Sequence, residues 1–257
     1  MIDRDSTPIR WGFIGASTWA SRYLIPAVAA LPDARGVGVF SSSRKRGEDY
    51  AASNGLEKAY ASLDELLGDP DIDAVYVSTT NDLHASQTIA AAEAGKHVLC
   101  EKPLAVTLPD ALRMHEACDA ARVVFGTNHH FRAAPTIDAM RRLIADGAIG
   151  EVVAARVFHA LLLLEELQTW RLDRPDAGAG VVLDITVHDT DTIRFLLDDE
   201  VAEVTALTAN QGLAKGAIED SVMGVLRMRR GQLVSFHDSF TVPHASPGSR
   251  CTGPPDR

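Results

Sequence analysis

The sequence predicts an α/β chain: a doubly wound parallel sheet over residues 1–128, then an α+β domain with a mostly antiparallel open sheet over residues 129–242. Three observations predict it. Short β-rich runs alternate with longer helical stretches through the first half, the grammar of βαβ units. After residue 128 this alternation gives way to several strands joined by short connections. The 257 residues, at about 150 per domain, suit two modest domains better than one small module.

In order, the first half reads as a strand at 9–14, a helix at 21–31, a strand at 36–40, a helix at 46–54 and a strand at 74–78. A helix at 83–94, a buried strand at 97–100, a helix at 109–121 and a strand at 123–126 follow. The second half opens with a helix at 135–145 and a long β run at 151–160. Further β runs are expected at 201–208, 221–228 and 232–241.

Composition removes several classes of function. Lys plus Arg number 25 against 35 Asp plus Glu, a net charge of −10, so a nucleic acid backbone would be repelled. The longest apolar run, at 160–164, is far below the roughly 20 residues that span a bilayer. The first residues mix both charge signs without the basic start and apolar core of a secretory signal, so the expected location is the cytoplasm. Cys100, Cys118 and Cys251 are odd in number and lack CxxC spacing, which indicates neither a disulfide framework nor a zinc knuckle.

Four segments carry chemistry. The first strand runs into Gly15-Ala16-Ser17-Thr18-Trp19-Ala20, where a dinucleotide-binding turn of a Rossmann domain belongs, with Ser17 in place of the second glycine of G-x-G-x-x-G/A. Small side chains there let a pyrophosphate reach the helix N-terminus. The second strand ends in Ser41-Ser42-Ser43-Arg44-Lys45-Arg46, with no carboxylate for the ribose 2′-OH of NAD and a cluster of cations suited to the 2′-phosphate of NADP(H). Glu101-Lys102-Pro103 follows the 97–100 strand, so Lys102 stands at a strand's carboxyl end, able to polarise a carbonyl oxygen. Asp184, His188 and Asp191 recur at i, i+4 and i+7 on one helical face, where a carboxylate can hold an imidazole that exchanges protons near neutral pH. The same residues with His129, His130 or His159 lack any recognised zinc spacing, and no metal is expected.

In this order and at these separations, Gly15-x-Ser17, Glu101-Lys102-Pro103 and the 184–191 run resemble the glucose–fructose oxidoreductase / inositol dehydrogenase (Gfo/Idh/MocA) family, over residues 10–241. The resemblance implies a Rossmann domain plus a C-terminal α/β domain whose open sheet covers the active site and serves in oligomerisation, and NADPH reducing the ketone of a sugar. It places Ser17, Ala20, Ser41 and Arg46 where NADP preference is set. Gly15, Thr18, Thr79, Asn81, Glu101 and Lys102 would line the cofactor, and Asn128, Trp170 and Arg171 the substrate. Lys102 and His188 would be catalytic, with Asp184 beside them. Trp19 and Arg44 depart from the family pattern. Another NAD(P)-dependent sugar or polyol dehydrogenase is the alternative within the family, and a non-catalytic nucleotide-binding protein the alternative outside it.

The resemblance stops before a tail, 243–257, rich in Pro, Gly, Ser and Arg and without apolar alternation. Read one base earlier, its codons can be written as a peptide that alternates like a strand. The expectation is therefore a frameshift near 243–246 that cost the chain its last strands and helix and with them solubility or activity and part of its capacity for self-association; a genuine disordered tail is the alternative.

Overall fold

The computed structural model describes residues 8–244 and 248–253. The first residues, on which the location expectation rests in part, and residues 245–247 and 254–257 of the tail lie outside them. The chain divides between Asn128 and His129 into two compact units.

The first unit runs β1 (Ile9–Ile14), a π-helical turn (Ala20–Leu24), α1 (Ile25–Ala29), β2 (Ala34–Phe40), α2 (Arg44–Asn54), β3 (Lys58–Tyr60) and α3 (Leu63–Gly68). It continues with β4 (Ala74–Val77), α4 (Asn81–Glu93), β5 (His97–Glu101), α5 (Leu108–Ala121) and β6 (Phe125–Asn128). All pairings are parallel, in the order β3-β2-β1-β4-β5-β6. The order reverses between β1 and β4, and such switch points are where doubly wound sheets bind ligands. The central strand β4, Ala-Val-Tyr-Val, is buried at every position because helices cover both faces. β3 and α3 go unrecognised in the sequence: three residues of an edge strand, Lys58-Ala59-Tyr60, offer no hydrophobic pattern to read.

The second unit begins with a 3₁₀ turn (His130–Ala133), α6 (Pro135–Ala145), β7 (Ala154–Ala160) and α7 (Trp170–Asp173). A π turn (Val182–Thr186) leads into α8 (Val187–Leu197), then β8 (Val201–Ala209), β9 (Ser221–Met228), β10 (Leu233–Ser239) and β11 (Gly248–Thr252). The sheet order is β11-β7-β10-β9-β8. Its pairs are antiparallel except β7 with β10, which run parallel because the helical segment through α8 intervenes between β7 and the later strands. One face carries the core of Val157, Val222, Leu226, Val234 and Phe236 with Ile185, Ile193 and Leu197 of the helical layer. The other leaves Leu207, Met223 and Val225 exposed.

β11 corrects one expectation. Residues 248–252, read as unable to continue a sheet, pair antiparallel with β7. An edge strand needs only backbone hydrogen bonds on one side, and of the two half-buried positions here, Ser249 and Cys251, only Cys251 is apolar, so no apolar alternation marks it. Among the described residues no helix is long and apolar enough to cross a membrane.

The loop between β8 and β9 is organised by Asp220, fully buried. Its carboxylate accepts the backbone N–H of Gln211 (2.6 Å), Leu213 (2.9 Å) and Ala214 (3.1 Å). Asp220→Ala leaves three donors without an acceptor and is expected to lower the unfolding free energy by about 2–4 kcal/mol in urea titration, with Asp220→Asn losing less.

Candidate functional site

The chemistry-bearing residues form two groups, one in each unit. In the first unit, β1 ends at Gly15, whose φ of +101° lies in the left-handed region. A Cβ there would stand 2.9 Å from Thr79 Cγ2 and 3.0 Å from Ser78 O, so only glycine allows this close approach of the two strand ends. Ser17 then starts the helix: its Oγ accepts the Ala20 N–H at 3.0 Å and donates to Ser78 Oγ at 2.9 Å. Ala20 is completely buried against Phe13 and Val39. Its place is the close helix-on-strand packing that the third small position of the motif requires.

The three cations after β2 separate. Arg44 and Lys45 pair with Glu48 (2.9 Å) and Asp49 (2.7 Å) on the exposed face of α2. Arg46 instead reaches back and donates to Ala16 O at 2.7 Å, so its guanidinium bridges the turns after β1 and β2. Tyr50 reinforces the same junction by donating to Ser17 O at 2.8 Å. Ser41 is buried beside them, and Ser43 caps α2. These features fit a nicotinamide dinucleotide: a turn closed to any side chain at Gly15, small residues after it, and hydroxyls with one arginine at the end of β2.

Thr79 donates to Gln87 Oε1 at 2.6 Å, and Asn81 opens α4, almost fully buried. His84, absent from the sequence expectations, ties two of the loops together: its ring contacts Pro103 O through Nδ1 (2.9 Å) and Thr79 O through Nε2 (3.3 Å). Burial pushes its pKa down. The peptide between Lys102 and Pro103 is cis. Glu101 anchors this turn: it accepts a hydrogen bond from Tyr76 Oη, another from Asn128 Nδ2 at 2.6 Å, and one from the Lys102 N–H at 3.2 Å. Burial and the Glu101 charge push the Tyr76 hydroxyl pKa up, so it remains a donor. Glu101 and Asn128, expected to line the cofactor and substrate, thus hold the loop that carries half-buried Lys102.

In the second unit, Gly180 adopts φ +112° beneath Glu219, whose Oε1 accepts the Val182 N–H at 3.3 Å where the helical segment begins. Asp184 lies in the π turn and pairs with Arg171 Nε at 3.3 Å, while the Arg171 guanidinium sits 4.6 Å over the Trp170 ring. These three expected site residues therefore form one cluster.

His188 is buried at the start of α8. Phe131 stacks on it (4.5 Å between centroids, 27°), His130 meets it edge-on at 4.9 Å, and His129 lies at 6.3 Å. Asp191, grouped with His188 by its spacing, is held by Arg132 in two hydrogen bonds (2.8 and 2.5 Å), with His129 Nδ1 at 3.6 Å. It clamps the 129–133 segment, and so the rings around His188, onto α8. No sequence pattern announces this, because Arg132 and Asp191 are 59 positions apart. Among the described residues no group of His, Cys, Asp and Glu is arranged to hold a metal ion.

Residues 9–129 match the model of an oxidoreductase family with an NAD-binding Rossmann fold, and residues 137–252 match the Gfo/Idh/MocA C-terminal domain. The chain belongs to the Gfo/Idh/MocA oxidoreductase family. It is 54% identical over 244 residues to 1,5-anhydro-D-fructose reductase of Ensifer adhaerens, covering 95% of this chain and 73% of that protein. It is 34% identical to myo-inositol 2-dehydrogenase of Thermotoga maritima over 70% of this chain and 53% of that protein. Among solved structures, aldose-aldose oxidoreductase of Caulobacter crescentus complexed with glycerol aligns with a TM-score of 0.87 at 28% identity, covering 96% of this chain and 75% of that one. Levoglucosan dehydrogenase in complex with NADH and levoglucosan aligns at 0.86 and 27% identity, covering 96% and 71%. The Gfo/Idh/MocA chain described here is thus a sugar-related oxidoreductase with a nicotinamide-binding first unit.

Arg132→Met leaves the nearly buried Asp191 carboxylate without its cation. Thermal unfolding is expected to show a loss of about 3 kcal/mol, and near-ultraviolet circular dichroism a loosened aromatic cluster.

Proposed function

We propose that the chain reduces the C2 ketone of 1,5-anhydro-D-fructose to 1,5-anhydro-D-mannitol with NADPH. The observation that carries the reading is the set of residues around His188: an imidazole withdrawn from bulk water, stacked on Phe131 and placed one turn after Asp184, is suited to giving a proton to a developing alkoxide. The similarity to 1,5-anhydro-D-fructose reductase supplies the substrate.

Gly15, Ser17 and Thr18 would receive the pyrophosphate at the start of the first helical segment, and Thr79 and Asn81 would border the dinucleotide at the switch point. Ser41 and Arg46 would take the 2′-phosphate. Arg46 keeps further N–H donors after its bond to Ala16 O, and no carboxylate stands at 41–43 to repel the phosphate. When bound, the nicotinamide supplies the hydride. Lys102 polarises the ketone oxygen with its ammonium, a role worth about 3–4 kcal/mol for such a donor, while Glu101 holds its backbone N–H. His188 donates the proton, and Asp184 supports the charged imidazole. Trp170 and Arg171 give the sugar an apolar ring face and a donor in the second unit. The reading includes a cytoplasmic enzyme, and the exposed Leu207, Met223 and Val225 support self-association through the second sheet.

A second reading, an NAD-dependent dehydrogenase of another sugar or polyol, draws support from the NADH complex of the similar levoglucosan dehydrogenase. A panel of ketoses and polyols with both cofactors separates the two by direction and by preference.

Two outcomes are expected. Ser41→Asp lowers kcat/KM with NADPH by about 10–100-fold while sparing or improving NADH, since a carboxylate repels the 2′-phosphate and accepts from a 2′-OH. Equal efficiency with both cofactors in the unaltered protein would remove the basis for this. His188→Ala lowers kcat by about 10²–10⁴-fold with little change in NADPH affinity by fluorescence titration. Near-full kcat would assign the proton to another group.

A further inference from the structure

A second set of buried acids lies in the second unit, unused by the chemistry above. Asp238 on β10 is completely buried and is the register partner of His159 on the parallel neighbour β7, so the two side chains leave the same face of the sheet at one level. The helical segment crossing that face brings Thr186 and Asp189. Asp189 Oδ1 stands 3.0 Å from His159 Nδ1, and Thr186 Oγ1 donates to Asp238 Oδ2 at 2.6 Å. The two remaining oxygens, Asp189 Oδ2 and Asp238 Oδ1, are shut off from solvent and receive no donor, although the two carboxyl groups are hydrogen-bonding neighbours.

Two ionised carboxylates cannot share such a space, and buried acceptors left without a donor are costly. One proton placed between Asp189 Oδ2 and Asp238 Oδ1 satisfies both. The surroundings offer no alternative: no lysine or arginine ion-pairs with either acid among the described residues. The β9 register partner of Asp238 is apolar Val222, Asp220 is spent on backbone N–H groups, and Asp191 is taken by Arg132. Burial and the charge of Asp189 push the Asp238 pKa up to about 8.

We propose that Asp189 and Asp238 hold one proton between them and thereby fix His159 as the Nδ1–H tautomer, whose Nε2 accepts a hydrogen bond from a sugar hydroxyl. With the shared proton between Asp189 Oδ2 and Asp238 Oδ1, Asp189 Oδ1 has no hydrogen to give, so it accepts and His159 Nδ1 donates. Among the described residues no protein group takes His159 Nε2. His159 belongs to the same aromatic cluster as His188, because Phe131 packs against both rings, at 5.9 Å from His159 and 4.5 Å from His188. Asp189 and Asp238 are positioning residues that act through His159. The sugar contact rests on the reductase reading, whereas the shared proton does not.

The pair also sets a pH dependence. Asp238 is protonated in the folded chain far above the range where the unfolded chain gives up that proton. Its stabilisation is therefore complete at acid pH and is lost as the pH rises through about 8.

The test uses the whole chain, ¹⁵N-labelled, with imidazole nitrogens followed by NMR from pH 6 to 10 without substrate. His159 is expected to show the Nδ1–H tautomer and a step near pH 8, and Asp238→Asn, which keeps an N–H donor toward Asp189, to abolish the step and flatten the fall of Tm with pH. An Nε2–H tautomer, no step in the unaltered protein, or a step that survives Asp238→Asn overturns the pair; the first two need no variant to fold. In kinetics, His159→Phe is expected to raise KM for the sugar about 3–10-fold with a smaller fall in kcat, and His159→Gln to recover part of it. An unchanged KM overturns the sugar contact. If the NMR outcomes hold but the unaltered chain turns over no sugar, the reductase reading and the contact fall together while the shared proton stands.

Discussion

A carboxylate withdrawn from water must find a donor, and this one constraint arranges the residues around both candidate groups. Glu101 is met by Tyr76, Asn128 and the Lys102 N–H, which makes the turn carrying Lys102 a fixed object. Asp191 is met by Arg132, which presses His129, His130 and Phe131 against His188. Asp184 is met by Arg171, which in turn lies on Trp170. Asp220 is met by three backbone N–H groups and shapes the loop before β9. Removing any one donor costs several kcal/mol where burial is deep, enough to couple site geometry to the stability of the unit around it.

The sequence discloses whatever depends on near neighbours. Gly15, Ser17 and Ala20 are legible because a tight βα turn, a helix start and close packing are local demands. Lys102 is legible because the end of a strand is. Tyr76, His84, Phe131 and Asp238 are not, since their roles come from partners far away along the chain, such as Asp238 beside Thr186, 52 positions apart. The cation cluster at 44–46 shows the same limit: composition gives three equivalent charges, and only folding sends Arg46 to Ala16 while the other two pair along α2. β3 and β11 are illegible for a related reason, because short edge strands are fixed by backbone pairing rather than by a hydrophobic period.

Each unit carries its own set of candidate residues. The first has the glycine turn, the hydroxyl-rich end of β2 with Arg46, and a lysine on a rigid turn. The second has a histidine set among aromatic rings and aspartates, with tryptophan and arginine close to Asp184. The division follows the two family models, the NAD-binding Rossmann fold over residues 9–129 and the Gfo/Idh/MocA C-terminal domain over residues 137–252.

Transfer of one hydrogen from the cofactor to the sugar is the central claim, and isotopic labelling reads it directly. The chain would be mixed with NADPH carrying deuterium stereospecifically at C4 of the nicotinamide and with 1,5-anhydro-D-fructose, and the product examined by NMR and mass spectrometry. The account expects the label from one face of the nicotinamide to appear at C2 of 1,5-anhydro-D-mannitol, in step with NADPH consumption. Product without label from either face, or no consumption of NADPH in the presence of the ketone, would contradict it.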